Sequence, residues 1–92
     1  MNKTIWKYPI THPDRVEIEM PKGAELLTIQ CQDNTPTIWA LVNPDKELDL
    51  EKRNFELFGT GHDVPCDMGI ERKYINTFQM NTGLVFHLFE RL

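Results

Sequence analysis

The chain has 92 residues, of which 40% are hydrophobic, 26% charged and 10% aromatic, and its formal net charge is −4. This length predicts a single domain over residues 1–92, and the apolar content excludes an intrinsically disordered chain. An acidic protein with scattered basic residues lacks the positive field that gathers nucleic acid or anionic lipid, so general nucleic-acid binding is disfavoured.

Hydropathy and cysteine usage bear on location. No segment approaches the roughly 20 apolar residues of a membrane-spanning helix, and the N-terminus does not resemble a secretory signal. We therefore expect no membrane insertion and a cytoplasmic location. Cys31 and Cys66 are then predicted to be free thiols, because disulfides form mainly in oxidising compartments.

Alternating apolar and polar residues predict strands in the first half of the chain. Thr4–Tyr8 alternates and is followed by Pro9, which is typical of an edge strand. Arg15–Met20 alternates most clearly. Residues 25–43 indicate a hairpin around the turn-forming residues 33–36, and the apolar second arm predicts that both of its faces are at least partly covered.

The second half contains the only candidate helix, Asp45–Arg53. Its Leu48 and Leu50 are two residues apart rather than three or four, so a polar loop is favoured over a helical turn. The remaining predicted elements are a strand at 55–58, a long loop at 62–73, and strands at 74–80 and 84–90 joined by a turn at 81–83. About seven short strands predict an all-β fold, a small antiparallel sandwich or barrel.

Distinctive sequence blocks are spaced along the chain: Lys3–Pro9 (KTIWKYP), Ile18–Ala24 (IEMPKGA), Trp39–Val42 (WALV), Phe58–His62 (FGTGH), Thr77–Gln79 (TFQ) and Leu84–His87 (LVFH). Together they resemble a family of short, functionally uncharacterised proteins encoded by phages and prophage-bearing bacteria. The resemblance spans nearly the whole chain. It implies a phage context and the host-cell cytoplasm, and it implies no catalytic residue, cofactor or mechanism.

The segment Gly59, Thr60, Gly61 and His62 is the first candidate site. Two glycines let the backbone approach a ligand closely, the threonine offers a hydroxyl, and the histidine exchanges a proton near neutrality. These groups suit an anionic ligand, although the spacing matches neither a phosphate loop nor a dinucleotide loop. The alternative is structural: the glycines form a bulge or tight exit from the preceding strand, and the histidine caps it.

Possible metal donors lie on one short segment. A closed zinc site usually needs paired ligands on two segments, so no metal and no cofactor are predicted. A nucleophilic Cys-His pair also lacks a supporting motif. His87 lies in an apolar run and is predicted to be a packed side chain with one hydrogen bond. The donors considered are His62, Asp63, Cys66 and Asp67, with His12 or His87 approaching in space.

Three aromatic residues, Trp6, Tyr8 and Trp39, are candidate interface anchors if they share an exposed face, and core residues otherwise. The favoured function is that of a non-enzymatic binding protein that attaches to a host protein, such as a component of host defence, or self-assembles. The alternative is a small-molecule or nucleotide-binding module that uses residues 59–62. A pocket at that segment favours the alternative, and a flat aromatic patch favours a protein partner.

Overall fold

A computed structural model of the chain describes residues 2–11, 14–66 and 69–92. A 3₁₀ turn at Pro44–Lys46 separates the fourth and fifth strands. The described residues form seven strands: β1 (Thr4–Pro9), β2 (Arg15–Pro21), β3 (Glu25–Gln32), β4 (Thr35–Val42), β5 (Leu50–Gly59), β6 (Arg72–Gln79) and β7 (Val85–Arg91).

The strands form two antiparallel sheets. One sheet has the order β1-β4-β3 and the other has the order β2-β5-β7-β6. The smallest extent of the molecule is 17 Å, which fits two sheets stacked face to face about 10 Å apart. The predicted all-β antiparallel sandwich is confirmed. In the described part of the chain, no helix is long and apolar enough to cross a membrane.

The predicted hairpin at residues 25–43 is confirmed, and a two-residue turn joins its arms. Asp33 and Asn34 have φ values of 49° and 61°. Asp and Asn tolerate this left-handed region better than most residues, and two successive positive φ values match the twist of an antiparallel hairpin. The second arm, β4, becomes the central strand of its sheet, which explains its unbroken apolar run.

The core lies between the sheets and is built from the inward residues of each alternating strand. Paired residues of an antiparallel ladder point to the same face, so the register identifies the inner positions. Val16 pairs with the fully buried Phe55, and Ile29 pairs with Ile38. The buried apolar residues are Ile10, Met20, Ala24, Ile29, Ile38, Ala40, Val42, Phe55, Phe78 and Leu88.

The prediction of a polar loop over Asp45–Arg53 is wrong for the last four of these residues. β5 begins at Leu50, where it pairs with Pro21 of β2. The alternation was hidden because two inward positions of this strand, Glu51 and Arg53, are charged rather than apolar. The predicted loop at 62–73 likewise ends early, since β6 begins at Arg72.

One side of the sandwich is joined by hydrogen bonds between β3 and β6. The Asn76 Nδ2 atom donates to the Thr28 Oγ1 atom at 2.8 Å and to the Ile29 carbonyl oxygen at 3.2 Å. Asn76 follows a register shift in β6 that turns its side chain toward the other sheet. This side of the sandwich is therefore closed by hydrogen bonds, whereas the other edge of each sheet is formed by β1 and by β2.

Candidate functional site

The segment at residues 59–62 forms a tight turn at the end of β5. The His62 backbone N–H donates to the Gly59 carbonyl oxygen at 3.0 Å, and the Thr60 N–H donates to the Val85 carbonyl oxygen at 3.2 Å. Gly61 has a φ of +90°, a conformation that favours glycine. The segment thus leaves the sheet while staying anchored to the neighbouring strand β7.

The His62 ring lies directly against the backbone of Gly59. A Cβ atom built on Gly59 would be 2.8 Å from the His62 Cε1 atom and 2.9 Å from the Nδ1 atom. Such distances are closer than van der Waals contact allows, so only glycine at position 59 admits the imidazole in this position. The two glycines therefore serve different purposes: Gly61 supplies a turn conformation, and Gly59 supplies space.

A cavity of about 300 Å³ opens beside this ring, at the end of the sandwich where β1, β5 and β6 terminate. We call it the end cavity. Its polar lining residues are Thr11, Asp14 and His62, all of which are exposed, so they lie at its rim. The remaining lining residues are Gly59 and the apolar Ile10, Pro36, Leu57, Met80 and Phe86.

A second concavity of about 430 Å³, the side cavity, lies on the β7 side of the same turn. It is lined by the turn and by the residues that lead into β7. Gly59, His62 and Phe86 line both cavities. The remaining residues of the side cavity are Thr60, Gly83, Leu84 and Val85. The segment chosen from the sequence thus borders two concave surfaces.

His87 is not the simply packed residue predicted from its apolar neighbours. It lies on the outer face of the four-stranded sheet, half-buried, and both ring nitrogens have partners. The Nε2 atom is 2.8 Å from the Thr60 Oγ1 atom, and the Nδ1 atom is 2.9 Å from the Thr77 Oγ1 atom. The Thr77 hydroxyl is also 2.5 Å from the Tyr74 hydroxyl. A hydrogen-bonded row therefore crosses this face and ends at the turn.

The three candidate aromatic anchors do not share a face. Trp6 pairs with Ala40 and Tyr8 pairs with Ile38, so Trp6 and Tyr8 point toward the core and pack against it. Trp39 pairs with Lys7 and points outward. No described residue bonds the buried Tyr8 hydroxyl, and burial raises the pKa of this phenol.

Of the metal donors considered, His12 and Asp67 lie outside the described residues. Among the residues that the structure does describe, no group of three or more His, Cys, Asp or Glu side chains could hold a metal ion. Both cysteines are free thiols, and the exposed Cys66 Sγ atom donates to the Val64 carbonyl oxygen at 3.2 Å.

The opposite end of β5 carries an ion pair on the inner face of the four-stranded sheet, between β5 and the neighbouring strand β7. The Arg53 guanidinium donates from Nε and Nη2 to the two Glu90 carboxylate oxygens at 2.6 and 2.7 Å, and from Nη1 to the Ala24 carbonyl oxygen at 2.5 Å. The hydrogen bonds that Arg53 donates to the Glu90 carboxylate raise the pKa of Arg53. Because these groups satisfy one another, we regard the pair as structural.

Comparison with known proteins gives one result. A family model for a domain of unknown function, DUF7352, matches residues 1–92. The chain belongs to this family. No curated protein and no solved structure matches the chain. Membership of an uncharacterised family, which the sequence blocks implied, is confirmed, and the residues of the site must be interpreted from their own chemistry.

Sequence reasoning found the turn at residues 59–62 but missed the rest of the end cavity. Ile10, Asp14, Met80 and Phe86 come from the ends of separate strands, and no local motif connects them. Each of the apolar residues has the pattern of an ordinary core position. Strand pairing within each sheet and the packing of the two sheets together bring them to one end of the sandwich.

Proposed function

We propose that the chain is a non-enzymatic binding protein whose ligand is a small molecule held in the end cavity. The observation that carries this proposal is the cavity itself: about 300 Å³, with an apolar interior and polar groups confined to its rim. Ligand sites are typically concave and mostly apolar, with a few polar groups that orient the ligand. The proposed ligand therefore has an apolar body and one polar head.

The charge of the rim favours a cationic head. Of the described residues that line the end cavity, Asp14 alone carries a fixed formal charge, and His62 is the other titratable group. Neither residue takes part in the ion pairs of the described chain. An ammonium group at the rim would face the Asp14 carboxylate, whereas an anion would be repelled by it. We therefore propose a cationic ligand in place of the anionic ligand that the glycines and the histidine suggested from the sequence.

The volume limits the size of the ligand. A cavity of about 300 Å³ is at the lower end of the range of ligand pockets, about 300 to 1,000 Å³. The Asp14 carboxylate at its rim would repel the phosphates of a nucleotide. The proposal is thus a short amine with an aliphatic or aromatic body, rather than the nucleotide considered from the sequence.

Three probes with matched chains test the proposal: hexylamine, hexanol and hexanoate, each titrated by isothermal calorimetry and by amide chemical shifts. We expect hexylamine to bind more tightly than hexanol and hexanoate to bind most weakly, with shifts near Leu57, Met80 and Phe86. Absence of binding by all three probes, or the reverse order, would contradict the proposal.

The Asp14→Asn variant tests the role of the carboxylate. Exposed ion pairs contribute about 0.2 to 1 kcal/mol, so we expect hexylamine binding to weaken about 1.4-fold to fivefold while hexanol binding is unchanged. Asp63→Asn is the matched control, because Asp63 is exposed next to His62 in sequence and lines neither cavity. Equal effects of the two substitutions would show only a general charge effect.

A second candidate function is self-association through the outer face of the three-stranded sheet. Ile5 is 56% exposed and pairs with Leu41, and Trp39 lies in the next row. Lys7 and Glu25 lie toward opposite edges of this face, an arrangement that a two-fold pairing of identical faces can use. Light scattering over a range of concentrations tests this: a dimer that Ile5→Lys dissociates would support it, and a monomer throughout would contradict it.

The biological setting belongs to the same proposal. We propose a phage-encoded protein that acts in the host cytoplasm, and the sequence resemblance is its only support. The second candidate would extend to an inhibitor of host defence if the outer face binds a host protein instead of another copy. Flanking genes of phage type and recovery in the cytoplasmic fraction would agree with this setting, and their absence would contradict it.

A further inference from the structure

The two cavities beside the turn share a wall. Gly59, His62 and Phe86 line both the end cavity and the side cavity, so these three residues lie between them. Gly59 is buried backbone, and Phe86 packs against the core and stacks with Phe78 at 6.0 Å between ring centroids. His62 is exposed. Of the three, it alone is attached to a turn rather than built into a strand.

The His62 ring has no hydrogen bond to a described residue, whereas its backbone is held by one. The His62 N–H is bonded to the Gly59 carbonyl oxygen, whereas the ring is held against Gly59 by packing. Exposed side chains change rotamer on a picosecond to nanosecond timescale. A rotation that lifts the ring from Gly59 would remove part of the wall and connect the two cavities.

We infer that His62 is a specificity-determining residue that sets the longest ligand the end cavity accepts. This inference rests on the proposed binding of a small amine in that cavity. With the ring against Gly59, the ligand's apolar body ends at the imidazole. Without the ring, the body continues past Phe86 into the side cavity, whose volume of about 430 Å³ exceeds that of the end cavity.

A chain-length series measures this limit. Linear amines from butylamine to dodecylamine are titrated below their micellar concentrations. Each buried methylene contributes about 0.8 kcal/mol, so the affinity should rise about fourfold per carbon until the cavity is full and then level off. In His62→Ala the rise should continue over additional carbons, while the shortest amines bind about as they do to the natural chain.

Gly59→Ala moves the same ring without deleting it. The new Cβ atom would collide only with the ring of an exposed side chain, so the ring should be displaced at small cost to the fold. We expect the length limit to shift in the same direction as in His62→Ala. Gly23→Ala is the control, because its Cβ meets nothing within 4 Å and Gly23 lies between β2 and β3, away from the turn and from both cavities. It should leave the length limit unchanged.

The outcomes separate this inference from the proposed function. If the natural chain binds the amines with a length limit and both His62→Ala and Gly59→Ala extend it, the inference is supported. If the natural chain binds them but both variants keep its limit, the inference fails and the proposed function stands. If the natural chain binds no amine of any length, the proposed function fails first. Gly59→Ala decides the matter should His62→Ala not fold.

Discussion

The two ends of β5 handle polar groups differently. Near its start, Arg53 and Glu90 lie between the sheets and bond to each other through two hydrogen bonds. At its end, about 20 Å further along the strand, apolar residues surround an open cavity with Asp14 and His62 at the rim. A charge inside a protein is tolerated when a partner satisfies it. The end with the ion pair therefore contributes to stability through groups that satisfy one another, and the end with the end cavity is where a ligand can add apolar contacts.

The largest expected effect is at the end with the ion pair. Arg53→Met would leave the Glu90 carboxylate, which has a side-chain exposure of 10%, without its partner. Removing one member of a buried ion pair lowers the free energy of unfolding by about 3 kcal/mol or more. Urea denaturation would measure this loss. The double variant Arg53→Met with Glu90→Leu should recover most of this loss, because apolar pairs of similar volume often replace buried ion pairs. A single variant as stable as the natural chain would contradict a structural role.

The next largest effect compares the two glycines of the turn. Gly61→Ala should lower the free energy of unfolding by about 1 kcal/mol, because an L-residue is strained at a φ of +90°. Gly59→Ala should cost less, since no positive φ is involved and the clashing ring can move away. Thermal denaturation of both variants measures the difference. The opposite order would mean that the His62 ring is fixed by more than its contact with Gly59.

The effect expected at Tyr8 is smaller than those at Arg53 and at the glycines. Its hydroxyl is buried between the sheets and has no hydrogen-bond partner among the described residues. Because burial raises its pKa above 10.0, the folded chain binds the phenolic proton more tightly than the unfolded chain. The stabilisation is complete below pH 10 and is lost as the pH rises through the folded pKa. Tyr8→Phe should remove this part of the loss of stability above pH 10, as measured by urea denaturation at increasing pH. Identical pH profiles of the two chains would contradict the assignment.

The smallest effect is expected at the rim of the end cavity. Asp14→Asn should change the free energy of unfolding by less than about 0.5 kcal/mol, because the Asp14 side chain is exposed. The hydrogen bond that fixes Asp14 is unaffected, since its backbone carbonyl oxygen accepts it from the Leu57 N–H. If Asp14→Asn lowered the free energy of unfolding as much as Arg53→Met, Asp14 would have a structural role instead of a ligand-binding one. Together with the weakened amine binding expected above, unchanged stability would mark Asp14 as a ligand-binding residue.

Local sequence patterns predicted most strands, since alternation reports which side chains face the core. They predicted β2, the hairpin of β3 and β4, and the edge position of β1. Alternation failed at Glu51 and Arg53, where the inward positions are charged. The partner that makes an inward Arg53 tolerable, Glu90, is 37 residues away and lies on another strand. A rule based on neighbouring residues has no access to that pairing.

For the candidate site, the sequence by itself determined the turn and its residue types: two glycines, a hydroxyl and an imidazole at residues 59–62. Only the tertiary structure decided what surrounds them. In the tertiary structure Trp39 lies on the opposite face of its sheet from Trp6 and Tyr8. His87 lies on the outer face of the other sheet, where its ring is hydrogen-bonded to Thr60 and Thr77. The tertiary structure also assembled the end cavity from the ends of strands in both sheets. The physical reason is that a cavity is defined by the spacing of packed elements, which depends on long-range pairing and leaves no local pattern.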